Sequence, residues 1–466
     1  MLKSRRKALH RRAAEVLLAS PGPEAEAVAH HFTQAGEIES AIEWWAKAGA
    51  GALRSSAFAE AIAHLAKAIE LSDSAGQTAS KQRLKLQSDY SQALMWSRGY
   101  AAEETINAFA RTAELAGQTG SVSERYAARH GQWVGFIARG QIHEAEQLAG
   151  AFLEEAEMTS QHSLDAATAR NSLGLSCLLQ GKLFEAQTHF QEVFTQWTSA
   201  PFGDRPRQSR LDPGVNAASY LAAVTWLTGE PGRAYDLSEH AIRLATEFDN
   251  VQLIVHAKLF RIYHDLYAED YASVHRPAEE MLRLASEHGM KVYHGYAAVY
   301  LSWARSRLRA NDAGPAALRL TIDDYVSQGN RATVALMLAL LAQCEALYGD
   351  HDAAAAAIHA AFKRAQETGE RYFLSFIHRI HGDILLKASP RDVAPAEEAY
   401  LQARAVAKEQ GARTLELLAA LSLAKLYRSA GRSSDAFSVL SPALRDFLPT
   451  RRLPQIAEAR ALLDWR

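Results

Sequence analysis

Residues 164–194 are LDAATARNSLGLSCLLQGKLFEAQTHFQEVF. Leu173 and Gly174 set a large residue beside a small one where two helices must approach, and Gly181 breaks the chain between them. Beyond the break, Ala186, Phe190 and Val193 recur at i, i+4 and i+7, the apolar stripe of an amphipathic helix. Gly174 and Ala186 leave room for crossing backbones. The stretch is a helical hairpin.

The same register returns at Leu221–Ala222, Gly229, Ala234 and Ala241, and again at Leu341–Ala342, Gly349, Ala354, Ile358 and Ala361. A further copy is Leu423–Ala424, Tyr427, Gly431, Ala436, Leu440 and Ala443. Weaker copies surround Gly140, Asp270, Asn311 and the interrupted turn KASPRDVAP before Ala396. A second series, Gly289, Gly329, Gly369 and Gly411, closes alanine-rich runs at spacings of 40, 40 and 42 residues. A fixed period in this range marks stacked helical hairpins, and the pattern is tetratricopeptide-like with longer units than the usual ~34 residues. The expected fold is all-α: a right-handed α-solenoid of tetratricopeptide-like hairpins with a period of about 40 residues. Each unit of such an array buries its apolar face against its neighbours, without a central core.

Composition agrees with a helical array. The 466 residues are 48% hydrophobic with a net charge of −2, which gives no global electrostatic case for nucleic acid or an anionic membrane. Two cysteines, Cys177 and Cys344, are too few for a secreted disulfide framework, so a reduced, cytoplasmic setting is expected. No stretch approaches the ~18 apolar residues of a membrane span.

The opening MLKSRRKALHRRAAEVLLAS is basic, then briefly apolar. Leu2, Leu9, Val16 and Leu17 fall near heptad spacing, which predicts a surface helix on the first hairpin rather than a targeting peptide. Its Lys3, Arg5, Arg6, Lys7, Arg11 and Arg12 read either as a solvated face or as a phosphate contact. The expected organisation is a basic N-terminal helix over 1–22, helical hairpins over 23–75 and the repeat array over 76–466. The polar stretch 72–82 separates the last two, with Asp73 or Ser74 as a helix cap. TSAPFGDRPRQSRLDPGVN (198–216) interrupts the period as a loop, either functional or a tolerated insertion.

Residues 27–71, AVAHHFTQAGEIESAIEWWAKAGAGALRSSAFAEAIAHLAKAIEL, carry a more specific resemblance. The elements are His30–His31–Phe32, Ala35–Gly36, Ala41–Ile42, Trp44–Trp45, Ala48–Gly49 and AEAIAHL. They resemble the opening of the helical-repeat region in large bacterial multidomain proteins. Those proteins join a class III adenylate/guanylate cyclase-like domain, or another effector, to a STAND/AAA-type ATPase and then to tetratricopeptide-like repeats. RYFLSFIHRIHGDILL (371–386), the run 396–440 and the closing EARALLD are similar to the same region. The chain also departs from that family. No GxxxxGK[ST] occurs, and Gly181–Lys182–Leu183 lacks both the leading glycine and the hydroxyl. DFLPTRRLPQI (446–456) stands where the family has an acidic, aromatic stretch. Neither ATPase nor cyclase activity carries over.

Other chemistry is sparse. His378 and His381 sit at i, i+3 without further ligands, and the adjacent His30 and His31 point to different helix faces. No HExxH, CxxC or GxSxG occurs, and Trp44, Trp45, Trp96, Trp133 and Trp303 fall at packing positions. No catalytic, cofactor or metal residues are assigned. Solenoids of this type bind on the surface lined by the first helix of each hairpin. That register selects His130, Trp133, Arg170 and Asn171 as partner-binding candidates. The expected function is a non-catalytic scaffold or sensor arm for a protein partner in bacterial signalling. The resemblance implies that this partner is an ATPase- or cyclase-bearing polypeptide. The alternative is a receptor region that encloses a small-molecule inducer.

Overall fold

A computed structural model of the chain describes residues 2–75, 80–119, 122–159, 163–198, 212–308 and 314–464. Among the described residues it is an all-α solenoid of hairpins, with 23 helices and no strand. The chain begins with α1 (Leu2–Leu18), α2 (Ala25–Ala35), α3 (Ile38–Arg54), α4 (Phe58–Ala75), α5 (Ser80–Arg98) and α6 (Glu103–Thr119). Next come α7 (Val122–Ala138), α8 (Ile142–Thr159), α9 (Leu164–Leu179), α10 (Leu183–Thr198), α11 (Pro213–Leu227) and α12 (Pro231–Glu247). The middle continues through α13 (Val251–Tyr267), α14 (Tyr271–Glu287), α15 (Lys291–Arg307), α16 (Pro315–Ser327), α17 (Val334–Leu347) and α18 (His351–Thr368). It closes with α19 (Leu374–Ala388), α20 (Ala394–Gln410), α21 (Arg413–Ser429), α22 (Ser433–Leu444) and α23 (Gln455–Asp464). Two compact units are present: Met1–Gly135 with Ala285–Val292, and Phe136–Leu284 with Tyr293–Arg466.

The glycine periodicity has a backbone cause. Gly140, Gly181, Gly229, Gly349 and Gly431 take positive φ at the turn inside a hairpin, while Gly289, Gly329, Gly369 and Gly411 take it between hairpins. A left-handed residue after a helix lets the chain turn back while its amide caps the last carbonyls, and glycine adopts it without a Cβ penalty. Asp212, Asn250 and Asp350 cap α11, α13 and α18 at the other end by accepting backbone N–H bonds.

Within the second unit the first helix of each hairpin lies inside and the second outside. Every residue of α11 is buried, and α17 buries all but two of its 14. Helices apolar all round belong in a core. Gly174 faces Phe190 so closely that an added Cβ would stand 2.6 Å from its ring. Nearest-neighbour stacking is only part of the packing, which corrects the expectation of an array without a core. The Arg331 and Ala332 amides donate to the Ala138 carbonyl at 2.7 and 3.3 Å, and those of Arg371 and Tyr372 to Leu179 at the same distances. Thr414 Oγ1 donates to the Trp226 carbonyl and Gln455 Nε2 to that of Ala268, across 188 and 187 residues. The second unit thus ties one winding of hairpins to the next.

In the first unit, α1 is helical and rests on a stripe that shares Leu17 with the heptad positions read from the sequence. Ala14 is buried with Val28, Phe32 and Ala41, and Leu17 packs against them. Leu9 and Val16, two of the other heptad positions, are each 62% exposed. Crossing α2 requires small residues on α1, and Ala14 supplies one. Ser72–Ala75 complete α4 instead of forming a linker, so Asp73 and Ser74 cap nothing there, and Asp73 pairs with Arg83. Residues 199–211 of the expected loop and Asn311 lie outside the described residues.

Candidate functional site

The four partner-binding candidates divide between the units. On α7, the His130 ring stacks on Trp133 at 5.4 Å and on Tyr126 at 6.2 Å. Burial pulls the His130 pKa down to about 4, so the ring is neutral at physiological pH. On α9, Asn171 is buried and its Nδ2 donates to the Pro213 carbonyl at 2.9 Å, joining α9 to the start of α11. Arg170 spreads its guanidinium between Glu157 of α8 and Glu192 of α10. All four side chains therefore have contacts inside the protein.

A second cluster carries more charge. Glu269 ends the turn after α13, at the position that Gly140, Gly181, Gly229, Gly349 and Gly431 fill elsewhere, and its φ is +55°. A left-handed conformation costs a non-glycine residue roughly 1–2 kcal/mol. The carboxylate it places has specific partners. Arg379 Nη2 lies 3.0 Å from Glu269 and its Nη1 3.2 Å from Asp383. Gln343 Nε2 donates to Glu269, Trp303 Nε1 donates to Gln343 at 3.1 Å, and the Tyr400 hydroxyl donates to Asp383 at 2.7 Å. Side chains from the α13–α14 turn, α15, α17, α19 and α20 form one relay.

The electrostatics follow from that packing. Burial acts to raise Glu269, but the Arg379 guanidinium outweighs it and holds the carboxyl below its usual range. Burial lifts Asp383 above its ordinary value against the same guanidinium. The relay borders a cleft of about 180 Å³ lined by Glu269, Arg307, Gln343, Asp383, Ile384 and Lys387. Arg307 donates to the Tyr271 hydroxyl, and its Nε and Nη1 are shielded without an acceptor. The clue in the sequence was a hairpin turn with Glu269 in place of glycine, followed by Arg379 and Asp383 at i, i+4.

Two further groups are packing features. Glu146, Cys177 and Glu185 come within reach of one cation, but Lys182 Nζ already donates to Glu146 at 2.6 Å and Gln180 to its other oxygen at 2.8 Å. Burial, aided by Glu146 and Glu185, pushes the Cys177 thiol up to about 12. His378 and His381 pack on the Phe362 ring at 4.6 and 5.7 Å. Among the described residues, no helix is long and apolar enough to cross a membrane.

No protein-family model matches the chain. A protein of Rhizobium meliloti (strain 1021), described as uncharacterized, is 23% identical over 451 residues. The alignment takes in 93% of this chain and 42% of that protein, so the chain spans about two fifths of its relative's length. Among solved structures, a Rap protein complexed with Competence and Sporulation Factor is similar at a TM-score of 0.51 and 12% identity. That match covers 82% of this chain and 100% of the other. The hetero-tetramer Cut9–Hcn1 of the APC/C gives 0.45 and 12%, covering 97% and 87%. At these identities the likeness concerns the fold, a tetratricopeptide-like helical repeat.

Proposed function

We propose that the chain is a non-catalytic helical-repeat scaffold, the partner-binding or sensor arm of a bacterial signalling system. The observation that carries this reading is the placement of large apolar side chains on the outer helices of the second unit. Phe184 on α10 is 84% exposed, and Leu320 on α16, Leu401 on α20 and Phe437 on α22 are exposed as well, while α11 and α17 inside are buried. Exposed large apolar side chains on four of the outer helices, α10, α16, α20 and α22, suit a protein surface better than water. An open trough along α10, lined by Phe184, Gln187, Gln191 and Thr195, is part of that surface. Arg170 and Asn171 serve this reading as positioning residues, since they hold α9 to α8, α10 and α11. His130 and Trp133 stack on each other along α7.

Further support comes from the relatives. The Rap protein was crystallised with a bound factor, and the Rhizobium meliloti protein is longer than this chain. The family resemblance names the partner as an ATPase- or cyclase-bearing polypeptide. Both cysteines are driven up to about 12 by burial, which suits packing rather than nucleophilic chemistry. The experiment is affinity capture from the native extract with the wild-type chain and with Phe184→Ser and Phe437→Ser. Loss of a specific protein partner in the variants, with helicity unchanged, supports the surface; equal capture by all three chains removes it.

The receptor reading has its own observation, the charged cleft at Glu269 and Arg307. Mass spectrometry of small molecules retained by the wild-type chain and lost by Arg307→Ala would favour it over the scaffold.

A further inference from the structure

Glu269, Asp383, Arg307 and Lys387 bring their charges to one cleft of about 180 Å³. That volume lies below the roughly 300–1,000 Å³ of drug-sized sites and suits a molecule of metabolite size. Both carboxylates already have their counter-ion, because Arg379 reaches Glu269 at 3.0 Å and Asp383 at 3.2 Å. Gln343 and the Tyr400 hydroxyl donate to the same two acids. The acceptors of the wall are therefore engaged.

The cations of the wall are not matched in this way. Arg307 gives Nη2 to the Tyr271 hydroxyl and stands 4.6 Å over that ring, while its Nε and Nη1 have no acceptor among the described residues. Lys387 is exposed and forms no ion pair among the described residues. Three cations, Arg307, Arg379 and Lys387, thus face two carboxylates, an excess of one positive charge. Burial lifts Asp383 above its ordinary range, and a proton there adds to the excess. A shielded guanidinium donor without an acceptor costs free energy, and a carboxylate satisfies it with charge-assisted, two-pronged bonds. Ala346, Ile380 and Ile384 supply an apolar part of the lining.

We infer that this cleft takes a small aliphatic carboxylate, with its carboxyl group at Arg307 and its hydrocarbon tail on Ile380 and Ile384. The inference rests on the receptor reading and names the class of ligand. A cation finds both acids engaged, and a neutral molecule leaves Arg307 unmatched. A phosphate monoester, at roughly −1.5 to −2 near neutral pH, exceeds the one-charge excess beside two carboxylates.

The test is calorimetric titration of the full chain with isocaproate at about pH 7.5, where the carboxyl group is ionised. Isocaproamide and isohexylamine present the same tail without charge and with the opposite charge. The expected result is one equivalent of isocaproate bound, about tenfold or more tighter than either other probe. Arg307→Ala should weaken isocaproate by about tenfold or more. Should that substitution disturb the packing on Tyr271, Lys387→Glu carries the comparison, because the side chain is exposed and its reversal changes only the charge of the wall. It should weaken isocaproate as well, whereas Lys363→Glu, exposed on α18 outside the cleft, should not. Undiminished binding by Arg307→Ala and Lys387→Glu, with far-UV spectra confirming the fold, overturns the carboxylate assignment. Tighter binding of the amide or the amine also overturns it and leaves a receptor for another ligand. Failure of isocaproate to bind overturns it too; the receptor reading falls with it only if the native extract yields no small molecule that Arg307→Ala loses.

Discussion

Glu370 lies fully buried between α18 and α19, with its oxygens 2.9 and 3.1 Å from the Thr333 amide and one of them 3.1 Å from the Thr368 hydroxyl. Burial raises its pKa from 4.5 to about 7 in spite of those donors. Below pH 4.5 both folded and unfolded chains hold this proton. Between 4.5 and 7 only the folded chain keeps it, so stability falls as pH rises through that window and then levels. The loss is on the order of 3 kcal/mol at ~1.4 kcal/mol per pKa unit. Glu370→Gln should remove it: the Tm difference between variant and wild type grows in the variant's favour from pH 4.5 to 7. A constant difference would mean that Glu370 ionises freely. Glu269 makes the complementary case. Glu269→Gly relieves a left-handed residue worth ~1 kcal/mol but strips Arg379 of one carboxylate, a loss of ~3 kcal/mol or more for a buried pair. A net destabilisation of about 2 kcal/mol should appear in urea unfolding, and an unchanged midpoint would show that the relay contributes nothing to folding.

At the scale of single elements, glycines with one composition have opposite meanings. Gly174 in α9 faces the Phe190 ring, and Gly174→Ala should cost about 1–3 kcal/mol because neither helix can withdraw. Gly150 in α8 meets nothing within 4 Å, and Gly150→Ala should gain up to about 1 kcal/mol from better helix propensity. Denaturant midpoints of the two variants should move in opposite directions. The hairpin register made Gly174 legible, because Ala186, Phe190 and Val193 follow it at helical spacing. The inner position of α11 and α17 was legible in their largely apolar character, which Asn216, Ser219, Thr225, Gln343 and Glu345 interrupt. The face on which α1 rests was legible only at Leu17, since Leu9 and Val16 fitted the same heptad spacing and lie exposed.

At the scale of the second unit, the ties from Ala138, Leu179, Trp226 and Ala268 to residues beyond Asn330 add contacts that an open array lacks. An open array unfolds in steps, because each repeat holds only its neighbours. The tied unit should instead lose its helicity in one transition. Thr414→Val, which leaves the Trp226 carbonyl without this donor, should lower that transition by about 1–3 kcal/mol without splitting it. Calorimetry that resolves several steps in the wild type would assign the ties no part in cooperativity. The proposed partner surface belongs to this scale too, because Phe184, Leu320, Leu401 and Phe437 come from four different hairpins.

Local structure follows from residue order alone: helices, their turns and the glycines that close them, all set by contacts within about 40 residues. The period, the hairpin register and the close approach at Gly174 follow from spacing and side-chain size alone. Tertiary structure decided whatever depends on residues far apart in the chain. Glu269 meets Arg379, and His10 meets His31, only after helices from different hairpins or different faces have packed. Asn171 and Arg170 look like free polar residues in the sequence and become ties between helices in the fold. A one-dimensional pattern records which face of a helix is apolar. It does not record which distant turn will lie against that face, because winding angle accumulates over many hairpins and no single residue encodes it.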